Sequence, residues 1–180
     1  WNTDICDALG VATSTLPEVV DSVGVVGHAA ALPGSPPIAA MLGDQQASMV
    51  GQGCTRPGQA KITFGSGGML DLCTDAPTPD AARRHEAGTY PLPLWAIDGR
   101  LTWGVEGIML SAGTNVEWLC DDLGLIDDPA ASHTVASGCV DSGGVVYVPA
   151  LMGLGTPRWD YGARGTLLGM TRGTERHHVV

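Results

Sequence analysis

The residues with the clearest capacity for chemistry stand together as Gly43-Asp44-Gln45-Gln46-Ala47, directly after the apolar run Ile38-Ala39-Ala40-Met41-Leu42. Asp44 supports two readings. As structure, its carboxylate caps a short helix over DQQASMVGQ, where free backbone amides and the helix dipole favour an acid. As chemistry, a carboxylate at the carboxyl end of a buried strand lies where open α/β sheets take their ligands, and it can accept a proton from a hydroxyl. Gln45 beside it offers both a donor and an acceptor to a polyhydroxy ligand. Spacing alone favours the cap.

A second group is the run Phe64-Gly65-Ser66-Gly67-Gly68. A glycine turn between two strands explains it through positive φ and needs no ligand. A loop that cradles phosphate also needs glycines, because only bare backbone lets successive N–H groups approach an anion. The run is not GxxxxGK[ST], and Phe64 occupies the first position of what would be GxSxG, so a nucleophilic serine is not supported. Lys61, the only lysine, reads as a solvated strand residue. The histidines, at 28, 85, 133, 177 and 178, do not form a metal-ligand set, since His177 and His178 point to different faces of any helix. The five cysteines are widely spaced without a CxxC pair and read as reduced, mostly buried small hydrophobes.

The elements that must position these residues follow from periodicity and turn chemistry. Thr3 caps a helix that Gly10 ends, and residues 19–20 and 23–26 are short extended pieces in a loop-rich stretch. Residues 38–42 are a short strand buried on both faces. Residues 60–64 and 69–73 form a hairpin across the glycines, and Asp98-Gly99 turns a second hairpin between Trp95-Ala96-Ile97 and Leu101-Thr102-Trp103. Residues 75–90 read as a surface excursion. Ile108, Ala112, Val116 and Leu119 recur at helical spacing and predict a helix over about 105–123, with Gly113 inside it. Strands at 145–149 and 166–170 follow, and Thr174 caps a last helix start. Strands and helices alternate in a way that predicts an α/β architecture with a mixed sheet and a seam near 51–59.

The bulk composition narrows the function. A net charge of −10 with 9 basic residues offers no cluster to neutralise nucleic acid phosphates, so nucleic acid is excluded as a partner. No apolar stretch reaches the roughly 18–20 residues that span a bilayer, so no membrane partner is expected, and the start reads as cytosolic. Trp1 in place of Met, with a helix that starts near the last residues, reads as an interior piece of a longer protein.

Three stretches taken together resemble the FGGY carbohydrate kinases: residues 37–70, residues 107–125 with GIMLSAGTNVEWL, and residues 146–179 with GLGTPRWDYGARG. Their order and spacing match over nearly the whole chain, and GDQQA and GLGxPxWDxxARG are the specific signals. The resemblance implies an actin-like, ribonuclease-H-like α/β ATPase fold. Residues 1–53 would end its first domain and residues 54–180 begin its second. It implies a cytoplasmic enzyme using ATP and Mg2+ to phosphorylate a small polyol or sugar, glycerol first and a pentulose second; a non-catalytic nucleotide-binding module of the same fold is the third reading. Assembly with further copies of the chain is left open. The family's base falls on Asp44, which also faces Mg2+ indirectly, and its polyol-binding glutamine falls on Gln45. The nucleotide contacts fall on Gly65, Ser66, Gly67 and Gly113, and on Glu117, which stands where the family has a glutamine.

Overall fold

The computed structural model describes residues 1–74 and 84–180. Part of the excursion expected over 75–90 thus lies outside the described residues. Helix α1 (Thr3–Leu9) is capped by Asn2, whose side chain accepts from the Ile5 N–H, and not by Thr3; it ends at Gly10 with φ of 66°. Strands β1 (Val23–His28) and β2 (Pro37–Ala40) pair antiparallel, while residues 19–20 stay outside any strand. The strand expected to be buried over 38–42 is shorter than expected and exposed along its length.

Helix α2 (Asp44–Gly51) follows after a three-residue link. Strands β3 (Ala60–Phe64), β4 (Gly68–Cys73), β5 (Tyr90–Ile97) and β6 (Arg100–Met109) form one sheet in the order β3-β4-β6-β5. Every ladder among the described residues is antiparallel, in place of the mixed sheet expected. The reason is local: β3–β4 and β5–β6 are closed by short turns and β1–β2 by a loop, all between successive strands, whereas a parallel pair needs a crossover of a dozen residues or more. Asp98 and Gly99 turn the β5–β6 hairpin with φ of 53° and 71°, the two positive values that a two-residue turn of this hand requires.

The helix expected over 105–123 divides. Residues 105–109 continue β6, and α3 runs only over Gly113–Asp121. Residues 105–109 pair with β4, and residues 105–106 also with β5, so ladder hydrogen bonds outweigh the helical spacing that begins at Ile108. Helix α4 (Ser132–Ala136) precedes the hairpin of β7 (Val146–Val148) and β8 (Thr166–Leu168). A last turn, α5 (Arg176–Val179), is capped by Glu175 and not by Thr174.

Met49 from α2 packs with Cys73, Leu94 and Trp95, and Leu42, Cys54 and Leu92 lean on this core. Residues before and after the expected seam therefore share one packed centre, which the backbone bond from Ser22 N to Ala96 O at 2.8 Å extends. On β3 the alternation is inverted relative to a simple amphipathic strand. Lys61 is buried and Thr63 half-buried on one face, while Ile62 and Phe64 are exposed on the other. Lys61 is not the solvated residue expected: its ammonium lies 2.8 Å from Asp71 Oδ2, with both side chains almost wholly buried. The pair stands one strand away from Glu106, aligned with Asp71 in the β4–β6 ladder.

Candidate functional site

Asp44 is the first residue of α2, and Gly43, not Asp44, occupies the cap position. Its Oδ1 accepts the Gln45 N–H at 2.8 Å, which holds the carboxylate over the positive end of the helix. Oδ2 makes no hydrogen bond among the described residues. The side chain is exposed to solvent. Asp44 and Gln45 line a cleft of about 160 Å³ with Ser48 and Thr63. Ser48 belongs here because it is one turn along α2 from Asp44, and Thr63 because β3 passes beside that helix.

Lys61 Nζ donates to Thr63 Oγ1. The hydroxyl thereby spends a lone pair inward and keeps its own proton for an acceptor elsewhere. Lys61 is in turn fixed by Asp71, whose Oδ1 is buried without a hydrogen-bond partner. Burial, the neighbouring Asp71 charge and, in the opposite sense, Lys61 set the Glu106 carboxyl, with the net result that its pKa is raised. The cleft therefore stands on a row of charged groups across three strands.

The nucleotide-side residues expected from the sequence also meet. Gly65 N–H bonds to Gly67 O at 2.9 Å, closing the β3–β4 turn. Ala112 N–H and Gly113 N–H reach back to Ser66 O and Gly65 O, each at 2.8 Å, and Thr114 Oγ1 donates to Ser66 O at 3.1 Å. The turn is thus pinned on the start of α3. Gly113 stands at the beginning of that helix rather than within it, and a Cβ there would lie 2.7 Å from Gly65 O. A Cβ at Gly67 would lie 2.9 Å from Met109 O. Neither Gly65, Gly67 nor Gly68 has positive φ, so at Gly67 it is close approach, not turn handedness, that excludes a side chain. Glu117 is exposed one turn further along α3.

Ser66 in the turn is three positions along the chain from Thr63 in the cleft, a reach of at most about 10 Å. Asp44, Gln45, Gly65, Ser66, Gly67 and Gly113 are brought to one edge of the sheet by β3. Ser48, Thr63 and Thr114 were not singled out from the sequence. The helical offset from Asp44 to Ser48 was the one signal that could have found any of them.

The loop that follows β7 is fastened to the same sheet. Thr156 N–H bonds to Ile108 O at 2.8 Å, Ile108 N–H returns to Thr156 Oγ1 at 2.9 Å, and Trp159 Nε1 donates to Gly88 O. Tyr90 packs edge-on against Trp159 with ring centres 5.1 Å apart. A Cβ on Gly155 would lie against Ile108 O, which explains the second glycine of Gly153-Leu154-Gly155.

The fold that carries this carboxylate and this backbone-pinned turn is the actin-like ATPase fold of the sugar kinases. The model for the FGGY family of carbohydrate kinases, C-terminal domain, matches residues 60–180, and the chain belongs to this family. The glycerol kinase of Alkalilimnicola ehrlichii is 44% identical over 182 residues, covering 100% of this chain and 36% of that protein. That of Halorhodospira halophila is 42% identical over 183 residues, covering 100% of this chain and 35% of that protein. Among solved structures, Plasmodium falciparum glycerol kinase with ADP has a TM-score of 0.80 at 30% identity, covering 99% of this chain and 36% of that one. A ligand-bound xylulose kinase from Lactobacillus acidophilus has a TM-score of 0.74 at 20% identity, covering 99% and 36%, a likeness of fold alone. The chain spans a little over a third of the length of the relatives it matches. Among the described residues no helix is long and apolar enough to cross a membrane.

Proposed function

We propose that these 180 residues are the part of a cytoplasmic glycerol kinase that carries the catalytic base and one wall of the nucleotide site, residues 1–53 closing its first domain and 54–180 opening its second. The observation that carries this reading is the pairing of the Asp44–Gln45 cleft, which Thr63 of β3 lines, with the turn at Gly65–Gly67 that follows the same strand. Relatives named glycerol kinase at 44% and 42% identity support the choice of glycerol.

In this reading Gln45 holds a hydroxyl of the polyol by donating and accepting, and Asp44 Oδ2 takes the proton from the hydroxyl that attacks the γ-phosphoryl of ATP. Thr63 Oγ1, held by Lys61, gives its proton to an oxygen in the cleft. The turn at Gly65–Gly67, with Ser66 and the start of α3, lines the phosphates, and Glu117 lies beyond them on the same helix. Phosphoryl transfer asks mostly for position and charge stabilisation, so one base beside a rigid cradle meets its needs. The carboxylate of Asp44 with the hydroxyls of Ser48 and Thr63 is a hard oxygen set that fits a hydrated Mg2+, whose charge would offset that of the phosphates.

The test replaces the matched segment of the Alkalilimnicola ehrlichii relative with this chain. A folded chimera that phosphorylates glycerol with ATP is the expected result. Transfer to xylulose in preference to glycerol would reassign the substrate, and a folded chimera that binds ADP but phosphorylates neither would favour a nucleotide-binding module without catalysis.

A further inference from the structure

The histidines read from the sequence as unrelated surface residues are not all so. Cys139, His177 and His178 each place a ligand atom within 4.8 Å of the other two, although 38 residues separate the cysteine from His177. All three are half-buried. They line a cleft of about 440 Å³ whose rim includes Asp141, Ser142 and Tyr147. The two imidazole centres lie 4.2 Å apart with planes inclined at 51°. The helix-face objection fails because Cys139 comes to α5 from the turn after α4, from the side.

We propose that Cys139, His177 and His178 bind a divalent cation of borderline softness, Zn2+ in the first instance, and so tie the turn after α4 to α5. One thiolate and two imidazoles are the donor set that zinc takes in tetrahedral sites, with a fourth position for water or the Asp141 carboxylate. Around a zinc ion such donors stand roughly 3.5 Å apart, so the cluster contracts by about 1 Å on binding. Glu175 Oε2 lies 3.7 Å from His177 Nδ1, a carboxylate behind a ligand imidazole that leaves Nε2 as the donor. Cys139 Sγ lies 3.3 Å from both Ala136 O and His177 O, to which the thiol donates; the metal displaces that proton to solvent and takes the thiolate. His178 Nδ1 accepts the Glu175 N–H at 2.9 Å, and ligation through His178 exchanges that capping contact for the metal. The site is independent of the Asp44 cleft and of any kinase activity.

The chain is titrated with Co2+ and Zn2+ in the presence of a non-chelating reductant. One Co2+ per chain is expected, with the visible bands of a tetrahedral ion and a thiolate-to-cobalt charge-transfer band. Cys139→Ser abolishes the charge-transfer band, and His177→Gln weakens Zn2+ binding by at least about tenfold. Zn2+ raises the Tm of the parent chain and leaves that of Cys139→Ser unmoved, while circular dichroism reports whether each variant has kept its fold. Absence of the thiolate band, its persistence in Cys139→Ser, or equal Zn2+ affinity in His177→Gln overturns the proposal. If Cys139→Ser does not fold, His177→Gln decides alone.

Discussion

The Asp44 cleft, through Thr63 on β3, and the turn at Gly65–Gly67 that follows that strand are neighbours in the chain, yet they are built on opposite principles. The cleft is made of side chains: an exposed carboxylate, an amide and two hydroxyls, with space around them. The turn is made of backbone, with carbonyls of Gly65 and Ser66 fixed by the start of α3 and no room for a Cβ at Gly67 or Gly113. A side-chain site can lose its chemistry and keep its fold. A backbone site cannot change a residue without moving its neighbours, so its function and its stability fail together.

The sharpest way to separate the two is Asp44→Asn. In the glycerol-phosphorylating chimera it should lower kcat by about 10²–10⁴-fold, the range for loss of a positioned base, while Tm stays where it was. A parallel loss of Tm would mean that Asp44 serves chiefly to hold the start of α2. Next in size, Lys61→Met strands Asp71 without a partner at about one per cent exposure. A cost of about 3–5 kcal/mol in denaturant unfolding is expected, and the double variant Lys61→Met with Asp71→Leu should recover much of it. Gly113→Ala comes third, because its Cβ would meet Gly65 O at 2.7 Å. It should cost about 1–3 kcal/mol and raise KM for ATP in the same chimera, joining stability to function as the backbone site requires.

The smallest effect is one of pH. The Glu106 carboxyl has its pKa raised by burial and by Asp71. A folded state that holds the proton more tightly than the unfolded chain is favoured while the group is protonated. That contribution is present below the ordinary carboxylate value and is lost as pH rises through the raised folded one. Stability measured across that window should fall, and Glu106→Gln should flatten the slope; an unchanged slope would assign it to another group.

Both hairpin turns and the start of α2 were legible in the sequence, because Asp98-Gly99, the glycines after Phe64 and an acid following an apolar run are local signals. What escaped was decided by partners distant in the chain. Residues 105–109 carry a helical spacing, and only their pairing with β4, joined at 105–106 by β5, makes them a strand. Lys61 was read as solvated because nothing nearby reveals that Asp71 lies across the ladder from it. The glycines after Phe64 were assigned to turn geometry, whereas at Gly67 the cause is the approach of Met109 O; Gly113, expected inside a helix, opens it against Gly65 O. For the proposed site, the sequence by itself favoured a cap at Asp44, and the preference for chemistry at Asp44 and Gln45 came from the family resemblance. Thr63 carried no signal of its own: its place beside Asp44 exists only once α2 lies against β3.

The burial of Lys61 also gives the molecule a built-in reporter. It is the only lysine of the 180 residues, so apart from the terminal amine no other primary amine is present for an acylating reagent to find. Locked beneath the sheet by Asp71, it should react only in the moments when β3 parts from β4. The rate at which a single acyl group appears on this chain is therefore a clock for the opening of the strand that carries the cleft.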